Sequence, residues 1–311
     1  MGTAVNAKAA PAPRVLAVVV TYNAMRWADR CFGSLLASSL KPDVLAVDNG
    51  SSDGTREHLA DAFPEVMLVC TEKNLGFGAA NNIGLRKALA EGYDFVYLMN
   101  QDAWVDEDTL ALLTAAHRRE FGVLSPLQNA ADGNMDEGFR RKCGRRLERA
   151  GFFADMASPA YDGRAEELPV IVEVPFVMAA HWLVSREALE AVGGFSPAFR
   201  QYGEDDNFID RLHWHGFGCG VVPEAKAVHD RGGRALAKPA RMRLKCVAPV
   251  VKLSDPSCCL PLRRILEPLE LVAMSVKNLS AYPLKFLPEL LRRYPELKRL
   301  RERSKSPGAF L

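Results

Sequence analysis

The chain has 311 residues, of which 48% are hydrophobic and 25% are charged. These values are ordinary for a globular protein, and they exclude disordered and collagen-like classes. The formal net charge of +2 is unevenly distributed: residues 241–311 hold 15 Lys and Arg against 6 Asp and Glu, and residues 1–240 hold 25 against 32. We therefore divide the chain into a main domain at 14–240 and a basic, helical C-terminal extension at 241–311.

The seven cysteines are an odd number, and no two of them form a C-x-x-C motif. They predict reduced thiols rather than a disulfide framework or a zinc site. The first 13 residues lack an apolar segment of signal-peptide length, and no run approaches the roughly 18 apolar residues of a membrane-spanning helix. We expect a cytoplasmic protein, peripheral to the inner face of the cell membrane at most, with no nucleic-acid partner.

The first 90 residues repeat a pattern of apolar strand, polar turn and helix. Apolar runs at 15–20, 44–48 and 66–70 are rich in β-branched or large apolar residues, and each leads through a polar turn into a segment of helical spacing. A fourth run, at 95–99, stops at the polar triplet 100–102. This repetition is typical of an α/β fold in which helices sandwich a mostly parallel sheet.

The second half of the chain is less regular. Residues 128–168 are polar and contain a basic cluster, so we expect a long functional loop there. A short run at 170–174, a helix near 185–191 and a short strand at 219–222 follow. From about 265 to 303, Leu on one side and Arg and Lys on the other predict Pro-punctuated helices. The basic cluster consists of Arg140, Arg141, Lys142, Arg145, Arg146 and Arg149.

Polar residues follow each predicted strand, which places them together at the carboxyl edge of the sheet, where such sheets bind ligands. A carboxylate at this edge, such as Asp102, can hold a divalent cation against a diphosphate. The alternative is that Asp102 caps a helix that begins near Asp106. Taken singly, Asp48 and Asp53 also fit turn formation, and His229 fits a structural histidine.

In their order and spacing, six motifs resemble those of the nucleotide-sugar-dependent glycosyltransferases of family 2, which have the A-type glycosyltransferase fold. The resemblance covers roughly residues 14–235, about three quarters of the chain. It implies a nucleotide-binding sheet. Within the family, the pattern of motifs is most similar to that of rhamnosyltransferases of surface polysaccharide biosynthesis. The motifs are Val18-Val-Val-Thr-Tyr-Asn23, Val47-Asp-Asn-Gly-Ser-Ser-Asp-Gly-Thr55, Asn74-Leu-Gly-Phe-Gly78 with Asn81-Asn82, Leu98-Met-Asn-Gln-Asp102, Gly193-Gly-Phe195 and Tyr202-Gly-Glu-Asp205.

The resemblance implies a reaction and a metal site. The reaction is transfer of a sugar from a nucleotide-diphosphate sugar to a hydroxyl of a saccharide or lipid-linked acceptor, with inversion at the anomeric carbon. Asp102 matches the last carboxylate of the family's Asp-x-Asp motif, with Asn100 at its first position, and His229 matches a further ligand of Mg²⁺ or Mn²⁺. The residues that would contact the nucleotide sugar are Thr21, Tyr22, Asn23, Asp48, Asn74, Gly76, Asn100 and Gln101.

The family's Glu-Asp motif, which supplies the general base, matches Glu204 and Asp205. We assign the base to Asp205, because crowding by adjacent carboxylates raises a pKa and suits it to accept a proton. Asn207 stands where many relatives carry a second acid. If the residue at that position takes part in the reaction, Asp206 becomes the candidate for the general base. Trp182 fits a residue of the hydrophobic core better than a contact to the acceptor. The basic cluster fits a solvent-exposed run of charges better than a contact to the acceptor.

Other functions stay open at this point. A catalytically weak nucleotide-sugar-binding protein would account for the amides at Asn100 and Asn207. A nucleotidyltransferase would need a basic Gly-rich loop near the amino terminus, and a processive synthase would need spanning helices and a Gln-x-x-Arg-Trp motif; the sequence offers none of these. For the basic extension, the alternatives are an anionic membrane surface, packing on the catalytic domain and a homodimer interface.

Overall fold

The computed structural model describes residues 12–152, 170–231 and 238–311. The described residues form nine strands and eleven α-helices. The strands are β1 (Val15–Thr21), β2 (Asp43–Asp48), β3 (Met67–Cys70), β4 (Phe95–Asn100), β5 (Ala103–Val105), β6 (Phe121–Asn129), β7 (Val172–Val174), β8 (His181–Ser185) and β9 (Gly218–His229). The helices are α1 (Ala28–Ala37), α2 (Thr55–Ala62), α3 (Phe77–Ala90), α4 (Thr109–Ala116), α5 (Glu137–Arg149), α6 (Arg186–Val192), α7 (Glu204–Trp214), α8 (Lys238–Lys245), α9 (Ala248–Ser254), α10 (Leu260–Lys277) and α11 (Leu287–Arg303).

All nine strands belong to one sheet. Its order is β3-β2-β1-β4-β8-β6-β9-β5, with β7 paired to β9. Strands β1 to β4 run parallel to one another, and β6 runs parallel to β9. Strand β8 is antiparallel to both of its neighbours, and β5 and β7 are antiparallel to β9. The predicted α/β architecture is confirmed, and the antiparallel pairs lie in the half of the sheet that runs from β4 to β5.

The central strands are buried on both faces because helices cover each side of the sheet. Leu16 and Val18 of β1 belong to one hydrophobic core, and Ala17 and Val19 belong to the other. This alternation follows from the two-residue period of a strand. A strand that is apolar on both faces reads as a continuous apolar run, which is the pattern that predicted these strands.

The expectation of a long irregular loop at 128–168 is wrong where the basic cluster lies. Residues 137–149 form helix α5, and the described residues of the expected loop end at 152. The buried side chains of α5 are Phe139, Cys143 and Leu147. Their spacing of four residues marks one helical face, and this apolar stripe is hard to see among six basic residues.

The C-terminal extension packs against the part of the chain that forms the sheet. Arg293 of α11 donates from Nη2 to the carbonyl of Ala198 at 2.7 Å, and the amide of Gly194 donates to the carbonyl of Ala309 at 2.8 Å. A third hydrophobic cluster joins Phe199 to the helices of the extension. Of the three alternatives for the extension, intramolecular packing is therefore present, and the boundary at 240 stays a prediction.

The sequence predicts reduced thiols and no membrane-spanning helix. All seven cysteines lie within the described residues, and each is free. Within the described ranges, no helix combines the length and the apolar composition that crossing a membrane requires.

Candidate active site

A cavity of about 1000 Å³ opens at the carboxyl ends of β1, β2 and β4. Parallel strands deliver their following loops to one edge, so the polar residues after each strand meet there. Seven of the predicted site residues line this cavity, which confirms that the fold gathers them. They are Tyr22, Asn23, Asn74, Gly76, Asn100, Gln101 and Asp102.

The cation-binding candidates lie together at one end of the β5–β9 pairing. Ala103 pairs with His229 across these antiparallel strands, and the amide of Asp230 donates to the carbonyl of Asp102 at 2.8 Å. The Oδ1 atom of Asp102 lies 3.5 Å from Nε2 of His229. The side-chain amide of Asn100 also lies 3.5 Å from Nε2 of His229. Asp102 does not cap the following helix, which begins at Thr109.

His229 lies beside a second buried histidine, His181. Burial, followed by the charge of His229, lowers the pKa of His181 to about 3. His181 is held by the hydroxyl of Tyr97 at 2.8 Å and the carbonyl of Val228 at 3.1 Å. The Nδ1 atom of His229 is buried without a hydrogen-bond partner among the described residues.

These residues fit a hard divalent cation that a substrate also helps to bind. Asp102 brings a carboxylate, His229 an imidazole, and Asn100 a side-chain amide whose oxygen and nitrogen exchange places on a half-turn of the terminal group. Among the described residues, no group of three His, Cys, Asp or Glu side chains forms a complete metal cage. Mg²⁺ and Mn²⁺ sites of this kind use few protein ligands and complete their shell with phosphate and water oxygens.

Two residues predicted to contact the nucleotide are buried behind the cavity wall. Thr21 and Asp48 have no exposed surface, and the Thr21 hydroxyl donates to Asp48 at 3.1 Å. Burial alone would raise the pKa of Asp48, but hydrogen bonds from Ser51, Arg56 and Thr21 hold it below its ordinary value. The structure therefore places Asp48 as an anchor of the turn after β2. The next residue, Asn49, lines the cavity instead.

Asn49 fixes the glycine loop that enters α3, and sequence reasoning missed it. Its Oδ1 accepts from the amide of Leu75 at 2.7 Å, and its Nδ2 donates to Oδ1 of Asn74 at 3.3 Å. Asn74 in turn accepts from the amide of Gly76 at 2.9 Å. Gly76 has a φ of 88°, and a Cβ atom there would collide with the carbonyl of Arg200. The signal that could have found Asn49 is its position directly after a buried strand.

The loop after β1 is held by side chains rather than left free. Gln101 accepts from the amide of Tyr22 at 2.6 Å and donates to its carbonyl at 3.2 Å. Asn23 adopts a φ of 55°, a left-handed conformation that Asn tolerates, and its Oδ1 accepts from the amide of Ser52 at 2.9 Å. Gln101 therefore fixes the backbone of Tyr22, a residue that is 47% exposed and lines the cavity.

The acidic triplet begins α7, next to the cavity. Gln201 and Tyr202 are among the described residues that line the cavity; Asp205, at the first turn of the helix, is not one of them. Burial raises the pKa of Glu204 to about 7, with the charge of Asp205 as the next cause. Burial and then the charge of Asp206 raise the pKa of Asp205 to about 6. A helix start stabilises carboxylates, but here desolvation outweighs that effect.

The polar residue at 207 has a structural explanation. Asn207 is buried, and its Oδ1 accepts from Nε of Arg211 at 3.2 Å. Arg211 is fully buried and also donates to the carbonyls of Val192 at 2.8 Å and Gly194 at 2.6 Å. The amide thus helps to tie α7 to the Gly193-Gly194 turn. The missing acid at 207 is no longer an argument for a catalytically weak protein.

Trp182 and the basic cluster behave as the sequence favoured. Trp182 is fully buried, stacks on Phe195 at a centroid distance of 6.3 Å and donates to the carbonyl of Val177 at 3.2 Å. It is a core residue. The basic residues lie on α5, whose buried face is apolar.

Comparison with known proteins identifies the family. The model of "Glycosyl transferase family 2" matches residues 16–193. An N-acetylglucosaminyl-diphospho-decaprenol L-rhamnosyltransferase of Mycobacterium tuberculosis is 32% identical over 243 residues, which cover 72% of this chain and 78% of the relative. The dTDP-rhamnosyl transferase RfbF of Shigella flexneri is 30% identical over 231 residues, 71% of each chain.

Solved structures share the fold. TarS of S. aureus has a TM-score of 0.55 at 13% identity, over 94% of this chain and 90% of that one. A mannosyltransferase of Pyrobaculum calidifontis, solved with GDP-Man and Mn²⁺, has a TM-score of 0.53 at 17% identity, over 94% and 87%. At these identities the likeness establishes the fold, while the family match covers more than half of the sequence. The chain belongs to glycosyltransferase family 2.

Proposed function

We propose that this chain is a metal-dependent inverting glycosyltransferase that moves a sugar, most simply rhamnose, from a nucleotide-diphosphate sugar to a hydroxyl of a lipid-linked saccharide. The observation that carries this proposal is the meeting of Asn100, Asp102 and His229 at the cavity that Tyr22 and Asn74 line. The names of the rhamnosyltransferase relatives support the donor and acceptor classes. The products would enter surface polysaccharide biosynthesis.

In this proposal the strand ends bind the donor. Tyr22 and Asn23 would flank the nucleotide, and the loop at Asn74 and Gly76 would approach the diphosphate through its backbone. Asp102 and His229, with Asn100, would hold Mg²⁺ or Mn²⁺. When bound, such a cation supplies positive charge that neutralises the departing diphosphate. Charge that grows toward the transition state is the charge most useful to stabilise.

In this proposal the acceptor would bind near the first turn of α7. Asp205 would accept the proton of the acceptor hydroxyl as that oxygen bonds to the anomeric carbon and the bond from this carbon to the diphosphate breaks. Attack opposite the leaving group inverts the anomeric centre. Glu204, with a pKa raised to about 7 by burial, would be protonated for part of the time near neutral pH and would leave Asp205 as the charged base.

We also propose that the enzyme works at an anionic membrane surface, where lipid-linked acceptors are found. Helix α10 exposes a stripe of apolar side chains spaced at three and four residues, and the extension carries an excess of basic residues. The exposed stripe consists of Leu262, Ile265, Leu266, Leu269, Val272 and Val276.

The test is a donor screen with the full chain. Thermal shift with uridine, thymidine and guanosine diphosphate sugars and Mn²⁺ should select one donor, and that donor should be hydrolysed slowly and transferred to a lipid-linked acceptor. Anomeric NMR signals of the product should show inversion. The proposal is wrong if no nucleotide sugar in the panel is bound, hydrolysed or transferred.

A further inference from the structure

The cavity that contains Asp102 has a second, apolar part that the proposed reaction does not use. Its walls come from the C-terminal extension rather than from the strand ends. Leu271 of α10 and Leu290 of α11 are buried there, and Val250 of α9 is partly buried. The remaining apolar lining residues of this part are Cys246, Val247 and Phe286. Such walls suit hydrocarbon and offer a hexose or a nucleotide base few partners.

The loop at 198–202 lies between the polar and the apolar parts. On the polar side, the carbonyl of Arg200 abuts Gly76 closely enough that a Cβ there would collide with it. On the apolar side, Arg293 donates to the carbonyl of Ala198 at 2.7 Å. A Cβ at Gly203, just after the loop, would lie 2.6 Å from Cγ1 of Val247. The two parts of the cavity are therefore neighbours across this loop.

Three arginines from three segments line the cavity: Arg200, Arg243 and Arg293. Arg200 and Arg243 are exposed, and neither forms an ion pair within the described ranges. Arg293 is fixed by its bond to Ala198 and by Glu296, whose Oε2 lies 3.3 Å from Nε. Glu289 is the carboxylate that the extension contributes to the lining. Guanidinium groups pair with phosphate oxygens in bidentate fashion, so three of them in the lining of one cavity suit a diphosphate.

We propose that these three arginines and the apolar walls of the extension, here called the arginine lobe, bind a lipid with a diphosphate headgroup. This inference depends on the proposed function, because the lipid would be the carrier of the acceptor sugar. Arg200, Arg243 and Arg293 would hold the diphosphate, and the partly buried side chains of Val247, Val250 and Phe286 would contact the first carbons of the chain. The donor diphosphate belongs to the Asp102 end, so the arginine lobe serves a second anion.

Helix α10 provides a path along which the hydrocarbon chain of the proposed lipid could leave the cavity. Its inner face contributes Leu271 to the cavity, and its outer face carries the exposed apolar stripe. A hydrocarbon chain that leaves the arginine lobe beside α10 would enter the same apolar surface that the stripe contacts. The headgroup would stay at the loop that joins the lobe to the donor end.

The test is binding of farnesyl diphosphate to the full chain in EDTA, which removes any metal-dependent binding at Asp102. Inorganic diphosphate and farnesol should each bind more weakly than farnesyl diphosphate, because each lacks one half of the recognised chemistry. Arg243→Gln should weaken farnesyl diphosphate binding by roughly tenfold or more, the usual effect of losing a charge-assisted hydrogen bond. Arg292→Gln, an exposed neighbour outside the cavity, is the matched control and should leave binding unchanged.

A second variant tests the apolar walls. Val250→Trp should weaken binding of farnesyl diphosphate and leave binding of inorganic diphosphate as it was. Nucleoside diphosphate binding with Mn²⁺ should stay at the wild-type level in all these variants. Unchanged farnesyl diphosphate binding in both Arg243→Gln and Val250→Trp, or full displacement by a nucleoside diphosphate in EDTA, overturns the inference. If donor hydrolysis persists in that case, the proposed function stands; if no nucleotide sugar is bound at all, the proposed function fails first.

Discussion

The Oδ1 atom of Asp102 lies 3.5 Å from Nε2 of His229. The two residues meet because β5 turns back directly after Asp102 and pairs antiparallel with β9, which ends at His229. A carboxylate and an imidazole this close can share one cation with little movement of either. The pairing of two short segments at the edge of the sheet thus sets the geometry of the candidate metal site.

Replacing the proposed base should separate chemistry from binding. Asp205→Asn should lower sugar transfer by roughly 10²- to 10⁴-fold, the usual contribution of a general base, and leave nucleoside diphosphate binding intact. Asp206→Asn is the control and should transfer at close to the wild-type rate. If Asp206→Asn loses transfer and Asp205→Asn keeps it, the base is Asp206.

The pH dependence of transfer follows from the same residue. The pKa of Asp205 is raised to about 6, so its carboxylate, the form that accepts a proton, disappears as the pH falls through 6. The value of kcat/KM should therefore drop about tenfold per pH unit below 6. A profile that is flat from pH 7 to pH 5 would contradict the assignment.

Glu204 should destabilise the folded chain at alkaline pH. Its folded pKa of about 7 lies above its ordinary value of 4.5, so its contribution to stability is full below pH 4.5 and is lost as the pH rises through 7. Glu204→Gln should therefore raise the free energy of unfolding at pH 8, by up to roughly 3 kcal/mol, and change it little at pH 5. Denaturant melts at the two pH values measure this; Glu224→Gln, on an exposed position of β9, should show no such difference.

Two glycines have nearly the same φ but differ in ψ, which is 3° at Gly54 and 162° at Gly76, and in the space around their Cβ positions. Gly54 has a φ of 90° and open space around its Cβ position, whereas Gly76 has a φ of 88° and faces the Arg200 carbonyl. Gly54→Ala should cost about 1 to 2 kcal/mol of stability, the penalty of a left-handed backbone. Gly76→Ala should cost more and should also weaken donor binding. Equal melts and equal donor affinities in the two variants would remove the proposed role of the Gly76 loop.

The exposed stripe of α10 should carry membrane binding. The double variant Ile265→Glu, Leu269→Glu places two charges in the proposed apolar contact and should lower co-sedimentation with anionic vesicles by roughly tenfold or more. Val69→Glu, at an exposed apolar position of β3, provides the matched control. Co-sedimentation at the wild-type level in the double variant would exclude α10 as the contact, and loss in Val69→Glu would show a nonspecific charge effect.

The first half of the fold could be predicted because local pattern and tertiary structure agree there. Strands buried on both faces produce unbroken apolar runs, and the turns after them carry Asn, Asp and Gly. The strands after β4 were harder to predict. Strand β5 has three residues, and β8 reads as part of a longer apolar stretch, so neither has a pattern of its own. Strand β5 exists because it pairs with β9, and β8 because it pairs with β4 and β6. No local signal in the sequence encodes these pairings.

The site was predictable as a set more than residue by residue. Sequence motifs identified Asn100, Asp102 and His229, and the structure brings them together. The motifs could not show whether Asp48 or Asn49 lines the cavity. Adjacent residues at the end of a strand point to opposite faces, and only the structure shows which of the two faces the cavity. The arginines of the extension had no motif, and only tertiary packing brings Arg243 and Arg293 to the cavity.

Binding of Mn²⁺ observed by electron paramagnetic resonance tests the central claim most directly. With a nucleoside diphosphate present, the wild-type chain should bind one Mn²⁺, with ¹⁵N or ¹⁴N hyperfine coupling from an imidazole. Asp102→Ala should lose this signal, His229→Ala should lose the nitrogen coupling, and Asp106→Ala, at an exposed position nearby, should keep both. A nucleotide-dependent Mn²⁺ signal that is unchanged in Asp102→Ala and His229→Ala would contradict the account.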